Sequence, residues 1–461
     1  MVDDILTRIV EIVGASGVIT DKSEMFKYAH DMSYHEPHIP EIVILPETIS
    51  QVSQLLKIAN DTHTFVTPYG AGTGLEGNAI PLKGGLTLSL QKMNRVLRID
   101  PRDLFLEAEA GITCNGISQA LEPYGLWLPT FPGAGEASLG GIISTNASGK
   151  WSTLYGCTGD YVLAMEIVLA NGDVVYVGRN VQKTVSGYDL KRLFIGSEGT
   201  LGIITKATMR LIGMRKSTTM TAAFDSCKTA LHAVELIRQR DLGLAVLEFA
   251  DELTTEMMVD LGSPLGTNGS VLLMEIHTYS EERDARITVV EDICRASDCK
   301  KFRCDYTSQE VNRIWKSRDD IGYAISKKYP DRIDNNGEMV VPITRFTELV
   351  LLSHKLADQY SIPILVWGHA GQGNLHTSVL GRKDDPKELL LADKVNEKLT
   401  NWAMEVGGTS TGEHGVGMSK IHYMAAEHAS TLSYMRTIKS LFDPLGIMNP
   451  GKMFYDETPA Q

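Results

Sequence analysis

A chain of 461 residues with 43% hydrophobic content is of globular type and too long for a single core, so two or three domains are expected. A net charge of −13 without a long basic run weighs against a nucleic-acid partner, and six cysteines are too few for a disulfide framework. No apolar run approaches the roughly 18 residues of a membrane-spanning helix, and the opening "MVDDILTRIVEIVG" lacks the basic start of a signal peptide. A cytoplasmic location is expected, with any membrane attachment made through a redox partner.

In chain order, an opening helix is followed by a strand over 41–46 and a helix from Thr48, whose Ile49, Val52, Leu56 and Ala59 fall at core spacing. A strand near 64–68, a glycine loop, strands around 86–90 and 104–110 and a helix over 114–123 come next. "MEIVLANGDVVYV" predicts a hairpin turning at Asn171-Gly172, and "GTLGIITKATMRLI" predicts another strand. From 217 onward strands near 218–224, 270–277 and 362–368 alternate with helices at 226–240, 281–297, 344–360 and 386–406. This is the pattern of an antiparallel sheet covered by helices, a second α+β domain. A helix and a Pro/Gly turn close the chain.

Three small-residue stretches call for a ligand. "PYGAGTGLEGNAIPLKGG" spells GxGxxG, but Pro81 and two further glycines prevent the helix that a Rossmann fingerprint requires. Its exposed backbone N–H groups still suit a diphosphate; the bland alternative is a tight turn. "PGAGEASLGGIISTNASGKWSTLYG" and "GSEGTLGIIT" add to it, and together they suggest one extended cofactor.

"WGHAGQGNLHTSVL" sets His369 and His376 seven residues apart among glycines. A helix would be penalised by the glycines, and an unbroken strand would put the rings on opposite faces. A glycine bend lets both imidazoles aim at one metal ion. A plain turn with hydrogen-bonding histidines is the alternative. Cys294, Cys299 and Cys304 recur at five-residue steps, a spacing that fits ordinary thiols better than an iron–sulfur cluster.

"PYGAGTGLEG", "PGAGEASLGG…NASG…YG", "FIGSEGTLGIIT", "GHAGQGNLH", "TGEHGVGMSK" and "DPLGIMNPGK" occur in the order found in a known family. Over about residues 38–455 the chain resembles the FAD-linked D-2-hydroxy-acid dehydrogenases of the vanillyl-alcohol oxidase/p-cresol methylhydroxylase superfamily. It is most similar to D-lactate dehydrogenases, with glycolate oxidase FAD subunits and D-2-hydroxyglutarate dehydrogenases as near relatives. The resemblance implies an α+β fold. A helical segment (1–37) would precede a two-lobed p-cresol methylhydroxylase-type FAD domain (38–216). A cap, substrate and metal domain (217–425) and a segment returning to the FAD domain (426–461) would follow.

It also implies roles. The loop of Pro68, Gly70, Ala71, Gly72, Thr73, Gly74 and Leu75 would hold the pyrophosphate of a non-covalent FAD. Pro132, Ser138, Gly140, Gly141, Ser144, Ser148, Gly149 and Tyr155 would lie along the cofactor, as would Glu198, Gly199 and Ile204, with Asn449 near the flavin ring. His369, His376 and Glu413 would bind a divalent metal, zinc first, with manganese or iron suited to the same donors. His414 would take the substrate's hydroxyl proton while C2 gives a hydride to flavin N5. Arg318, in the WxxR of "WKSRDDIGYA", would clamp the carboxylate. Gln372 stands where relatives often carry aspartate. Gly322 and Asn336 replace a threonine and a lysine that serve the second acid of hydroxyglutarate enzymes, which favours D-lactate or glycolate. Left open are the electron acceptor (a quinone, a cytochrome or an iron–sulfur subunit), a homodimeric assembly, and a rival reading as a non-catalytic FAD-binding subunit of a complex.

Overall fold

The computed structural model describes residues 2–278 and 280–455. The chain divides into two compact units. Unit 1 comprises residues 1–149, 157–214 and 413–461, and unit 2 comprises residues 150–156 and 215–412.

Besides a two-stranded ribbon of Leu126–Trp127 and Ile212–Gly213, unit 1 holds two larger sheets of different construction. In the first, the strands run in the order Val18–Ile19, Ile42–Ile44, Leu86–Ser89, Val66–Tyr69. The last three are parallel, and the outer pair at the Val18 end is antiparallel. The three residues of Ile42–Ile44 are all buried, as expected of a parallel strand covered on both faces. The helix Ile49–Thr62 follows it, capped by the Thr48 hydroxyl on the Gln51 amide, and buries Val52, Leu55, Leu56, Ile58 and Ala59. The second sheet is antiparallel: Val96–Asp100, Phe105–Glu109, Ile203–Arg210, Val162–Val168, Val174–Gly178. Its last two strands are the hairpin expected at Asn171-Gly172, with Gly172 at φ 80°.

Unit 2 is a seven-stranded antiparallel sheet in the order Lys301–Arg303, Lys216–Phe224, Ser270–Thr278, Leu244–Ala250, Ile364–Gly368, Asn374–Arg382, Arg332–Val340. Alternation along the strands separates two faces. One face carries Met220, Leu247, Phe249, Met274, Val366, Leu375 and Met339. These pack in one core with Leu231, Val234, Val290, Phe346, Leu349, Val395 and Leu399 from the helices Cys227–Gln239, Ser280–Ala296, Ile343–Tyr360 and Pro386–Glu405. The other face carries Thr219, Glu248, Glu275, His277, Glu338 and His376, all buried. Such a row of buried polar groups costs stability unless each is hydrogen-bonded, so its presence points to a site.

In unit 2 the helices Glu252–Asp260, Ser308–Asp319 and Ile321–Lys328 were not expected. The strands Leu244–Ala250, Lys301–Arg303 and Arg332–Val340 were likewise not expected. "LAVLEFA" has an acid inside an apolar run, and "RIDNNGEMV" has Gly337 and two asparagines, so neither shows clean alternation. Among the described residues, no helix is long and apolar enough to cross a membrane.

Candidate functional site

In unit 1, the strand Val66–Tyr69 delivers the chain into the glycine loop. Among the described residues, no partner is found for the backbone N–H groups of Ala71 to Leu75. A Cβ on Gly70 would stand 2.3 Å from the Ser138 hydroxyl, so the loop and the Ser138 turn approach too closely for any side chain there. Ser138 caps the short helix Leu139–Ser144 by accepting from the Gly141 amide at 3.2 Å. Gly140 lies against Ala110, where a Cβ would meet Ala110 Cβ at 2.9 Å, and Gly199, at φ 71°, lies against the Pro68 ring. Pro132, Gly149 and Ser148 follow in the same region of unit 1, and Ile204 is buried in the strand Ile203–Arg210.

Asn449 ties this cradle together. Its amide N–H donates to Val66 O at 2.8 Å, and its Nδ2 donates to Asn78 O at 3.1 Å and Glu198 O at 2.7 Å. Its Oδ1 and the Thr130 hydroxyl are buried without a hydrogen-bond partner among the described residues. Buried polar atoms are seldom left unmatched, and together with the unpartnered loop amides they fit a polar cofactor with diphosphate and ring N–H groups. The Glu198 carboxylate accepts from Asn78 Nδ2 (2.7 Å) and the Val416 and Gly417 amides (2.7 and 2.9 Å). It clamps three loops of unit 1. Burial pushes its pKa up against these three donors. Tyr155, alone among the residues expected along the cofactor, belongs to unit 2, and its hydroxyl lies 2.9 Å from His277 Nδ1.

The segment that re-enters unit 1 begins with Glu413 and His414. Ser148 Oγ donates to Glu413 Oε2 at 3.3 Å. His414 lies between two acids, Nδ1 3.5 Å from Glu76 and Nε2 3.7 Å from Glu413. Burial raises the Glu76 pKa, but Lys420, 3.3 Å away, and His414 outweigh it and hold the group below its usual range.

In unit 2, the strands Ile364–Gly368 and Asn374–Arg382 form a hairpin whose turn is the glycine stretch. Gly373, at φ 76°, has no room for a side chain, because a Cβ would stand 2.1 Å from Val341 O. The turn brings the His369 and His376 rings to a centroid distance of 5.3 Å at 85°, with ligand nitrogens within 4.8 Å of each other. Gln372, within the turn, donates to Ser152 O at 3.0 Å and accepts from the Ser152 hydroxyl.

Two acids that the sequence reading did not single out support the pair. Glu248, on the Leu244–Ala250 strand, hydrogen-bonds His369 Nδ1, which orients the ring so that a metal would be ligated through Nε2. The same carboxylate takes Arg318 Nε at 2.9 Å and Nη2 at 2.7 Å. Burial raises the Glu248 pKa, yet Arg318 and His369 overcome it and bring it to about 2. Glu338 stands opposite His376 in the ladder and accepts from the Gly412 amide at 2.6 Å and the Thr411 hydroxyl at 3.1 Å. Glu248 shows in the sequence only as a lone acid in an apolar run, and Glu338 only as the second acid of the polar stretch "RIDNNGEMV". Asp251, Glu252 and His354 form another group of ligand-type atoms within 4.8 Å. Asp251 caps the helix Glu252–Asp260, however, and a helix N-terminus favours anions over cations.

Comparison with known proteins places this arrangement. Residues 40–178 match the family described as FAD binding domain, and residues 214–453 match FAD linked oxidases, C-terminal domain. The chain belongs to the FAD-linked oxidases. The family chain is 32% identical over 457 residues to a probable mitochondrial D-lactate dehydrogenase of Danio rerio, covering 98% of this chain and 92% of the relative. It is equally identical to glycolate oxidase subunit GlcD of Bacillus subtilis, with 98% and 97% covered. A D-2-hydroxyglutarate dehydrogenase of Stutzerimonas stutzeri is 30% identical, with 98% of each chain covered. The FAD-linked oxidase fold is that of p-cresol methylhydroxylase, at a TM-score of 0.81 and 17% identity over 98% of this chain and 96% of that one. An alkyldihydroxyacetonephosphate synthase shares the fold at a TM-score of 0.77 and 18% identity, with 97% and 84% covered. The protein is thus an FAD-linked oxidoreductase of the D-lactate, glycolate and D-2-hydroxyglutarate dehydrogenase group.

Proposed function

We propose that this FAD-linked oxidase converts a small D-2-hydroxy acid, D-lactate first among candidates, to the 2-oxo acid with the help of a divalent metal. The observation that carries the reading is the convergence of the His369 and His376 rings, one of them oriented by a buried glutamate. His369, His376 and Glu413 would hold the metal, zinc before manganese or iron. An α-hydroxy acid presents a hydroxyl and a carboxylate one carbon apart, a natural chelate, and the metal when bound lowers the pKa of that hydroxyl. FAD, when bound, accepts the hydride of C2.

The chain's own groups do the rest. Arg318 faces the carboxylate, with its guanidinium plane set by Glu248. His414 receives the hydroxyl proton, and Glu76 and Glu413 on either side favour the imidazolium that results. Asn336 hydrogen-bonds Ser378 on the sheet face that carries His376, and Gly322 has open space where a side chain would project. Neither supplies a cation for a second carboxylate, which supports a monocarboxylate. Glycolate and D-2-hydroxyglutarate are the comparison substrates.

Dye-linked oxidation of D- and L-2-hydroxy acids, with and without metal stripping, tests the reading. D-lactate should be oxidised, and turnover should vanish on stripping and return with added zinc or manganese while FAD stays bound. Full turnover by stripped protein would remove the metal from the mechanism. Faster oxidation of D-2-hydroxyglutarate would replace D-lactate as the substrate. An FAD-loaded protein that oxidises none of the acids would favour the non-catalytic subunit.

A further inference from the structure

Lys150 opens the short segment of unit 2 that is tied to the histidine turn through Ser152 and Gln372. Its Nζ lies 4.5 Å from the centroid of the Trp315 ring and 5.0 Å from that of Trp151. Trp315 is held by its Nε1–H donating to Thr219 Oγ1 at 3.2 Å. Among the described residues, no carboxylate comes within salt-bridge distance of the Lys150 ammonium. Burial holds the Lys150 pKa below its ordinary value; Asp319 and Glu275 pull it up, and Arg318 opposes them. A partly buried ammonium resting on two aromatic faces gains less from them than it loses by giving up its water.

Arg318, three residues beyond Trp315 on the helix Ser308–Asp319, is in the opposite condition. Two of its nitrogens are engaged by Glu248, and Nη1 lies 3.6 Å from Asp319. A carboxylate arriving at Arg318 alone would meet a guanidinium already neutralised by a buried glutamate, leaving the incoming negative charge uncompensated.

We propose that Lys150 binds the substrate's carboxylate beside Arg318, and that it supplies the positive charge which Glu248 cancels on the guanidinium. The inference rests on the 2-hydroxy-acid reading above. Lys150 brings the charge, Arg318 the planar orientation, and the two tryptophans a wall that keeps water from the ammonium.

The test follows flavin reduction by D-lactate in single-turnover mixing, and equilibrium binding of propionate, a carboxylate with no hydroxyl to oxidise. In K150M the dissociation constants for both should rise about 10- to 100-fold. The limiting rate of flavin reduction should stay within about threefold of wild type, and K150R should recover most of the affinity. Unchanged dissociation constants in K150M overturn the proposal. So does a K150R as weak as K150M, which assigns the effect to packing, or a loss confined to D-2-hydroxyglutarate, which assigns the lysine to a distal group. If K150M does not fold with its FAD, K150Q is read in the same way. If wild type oxidises no 2-hydroxy acid, the functional reading falls, and the propionate titration decides on Lys150 by itself.

Discussion

Glu248 is the residue on which unit 2's chemistry converges, since one buried carboxylate serves both His369 and Arg318. Removing its charge while keeping its shape separates these two dependencies. Glu248→Gln keeps a hydrogen-bond acceptor for His369 Nδ1–H but leaves Arg318 buried without its counter-charge. Metal affinity measured by competition with a chelator should fall about tenfold, the low end of the cost of disturbing the partner of a ligating histidine, because a neutral amide oxygen supports the ring less strongly than a carboxylate. FAD content should stay at the wild-type level, because the flavin cradle belongs to unit 1. A variant with undiminished metal affinity would show that the charge of Glu248 adds nothing to His369 as a ligand. The histidines were legible in the sequence because a glycine-rich turn places them locally, within seven residues. Glu248 was not, because it meets His369 across 121 residues of chain, and the ladder that joins them leaves no local mark. Lys150 was hidden for the same reason, since its aromatic partner Trp315 lies far along the chain.

Among the elements, the helices that cover the sheet of unit 2 were the most readable part of the fold. The helices 226–240, 281–297, 344–360 and 386–406 expected from apolar spacing correspond to Cys227–Gln239, Ser280–Ala296, Ile343–Tyr360 and Pro386–Glu405. The central strand Leu244–Ala250 is buried at every position, so it lacks the alternation that marks a strand with one wet face. At the ends of these elements lies a network of separate character. The ring of His354, on the helix Ile343–Tyr360, has Nε2 3.1 Å from Asp251 and Nδ1 3.9 Å from Cys227 Sγ. The Asp251 hydrogen bond, followed by that of Cys227, raises the His354 pKa from 6.5 to about 10, while burial opposes them. A folded-state pKa above the unfolded one means that the protonated ring stabilises the fold fully below about pH 6.5, and that this is lost as pH rises towards 10. Discounted for partial exposure to about 1 kcal/mol, the contribution is worth about 2–4 °C of melting temperature. The margin of wild type over His354→Gln should therefore shrink by that amount between pH 6.5 and 10. A margin that stays constant or widens would remove the imidazolium from the stability of this face.

At the scale of the whole chain, the order of residues and the order of construction diverge. Unit 1 is assembled from three stretches of sequence, and within the last of them the chain returns to the edge strand Val66–Tyr69. Val66 N–H donates to Ile447 O, Asn449 N–H donates to Val66 O, and Val66 pairs with Met448 as a parallel bridge. Asp443 prepares this return by accepting from the Ile447 and Met448 amides at 3.0 and 2.8 Å. Lys439 adds bonds to Thr200 O and Met448 O at 2.8 and 2.9 Å. Periodicity gives a helix and a turn here but says nothing of the strand they join; only the resemblance to a flavoprotein family implied that the tail comes back. The consequence can be measured. In Asn449→Ala the carbonyls of Asn78 and Glu198 lose their donor, and these residues flank the glycine loop and the Gly199 approach to Pro68. Two buried acceptors left unmatched cost about 1–3 kcal/mol each, shared between the stability of unit 1 and the fit of the flavin. The variant should be purified with less FAD than wild type, with its FAD dissociation constant raised at least about tenfold. Because the two histidines proposed to hold the metal are in unit 2, metal content should be unchanged, and saturating FAD should recover most of the turnover. FAD affinity equal to wild type would mean that the returning segment closes the fold without shaping the cofactor site. Turnover that stays lost at full FAD occupancy would place Asn449 in the chemistry itself.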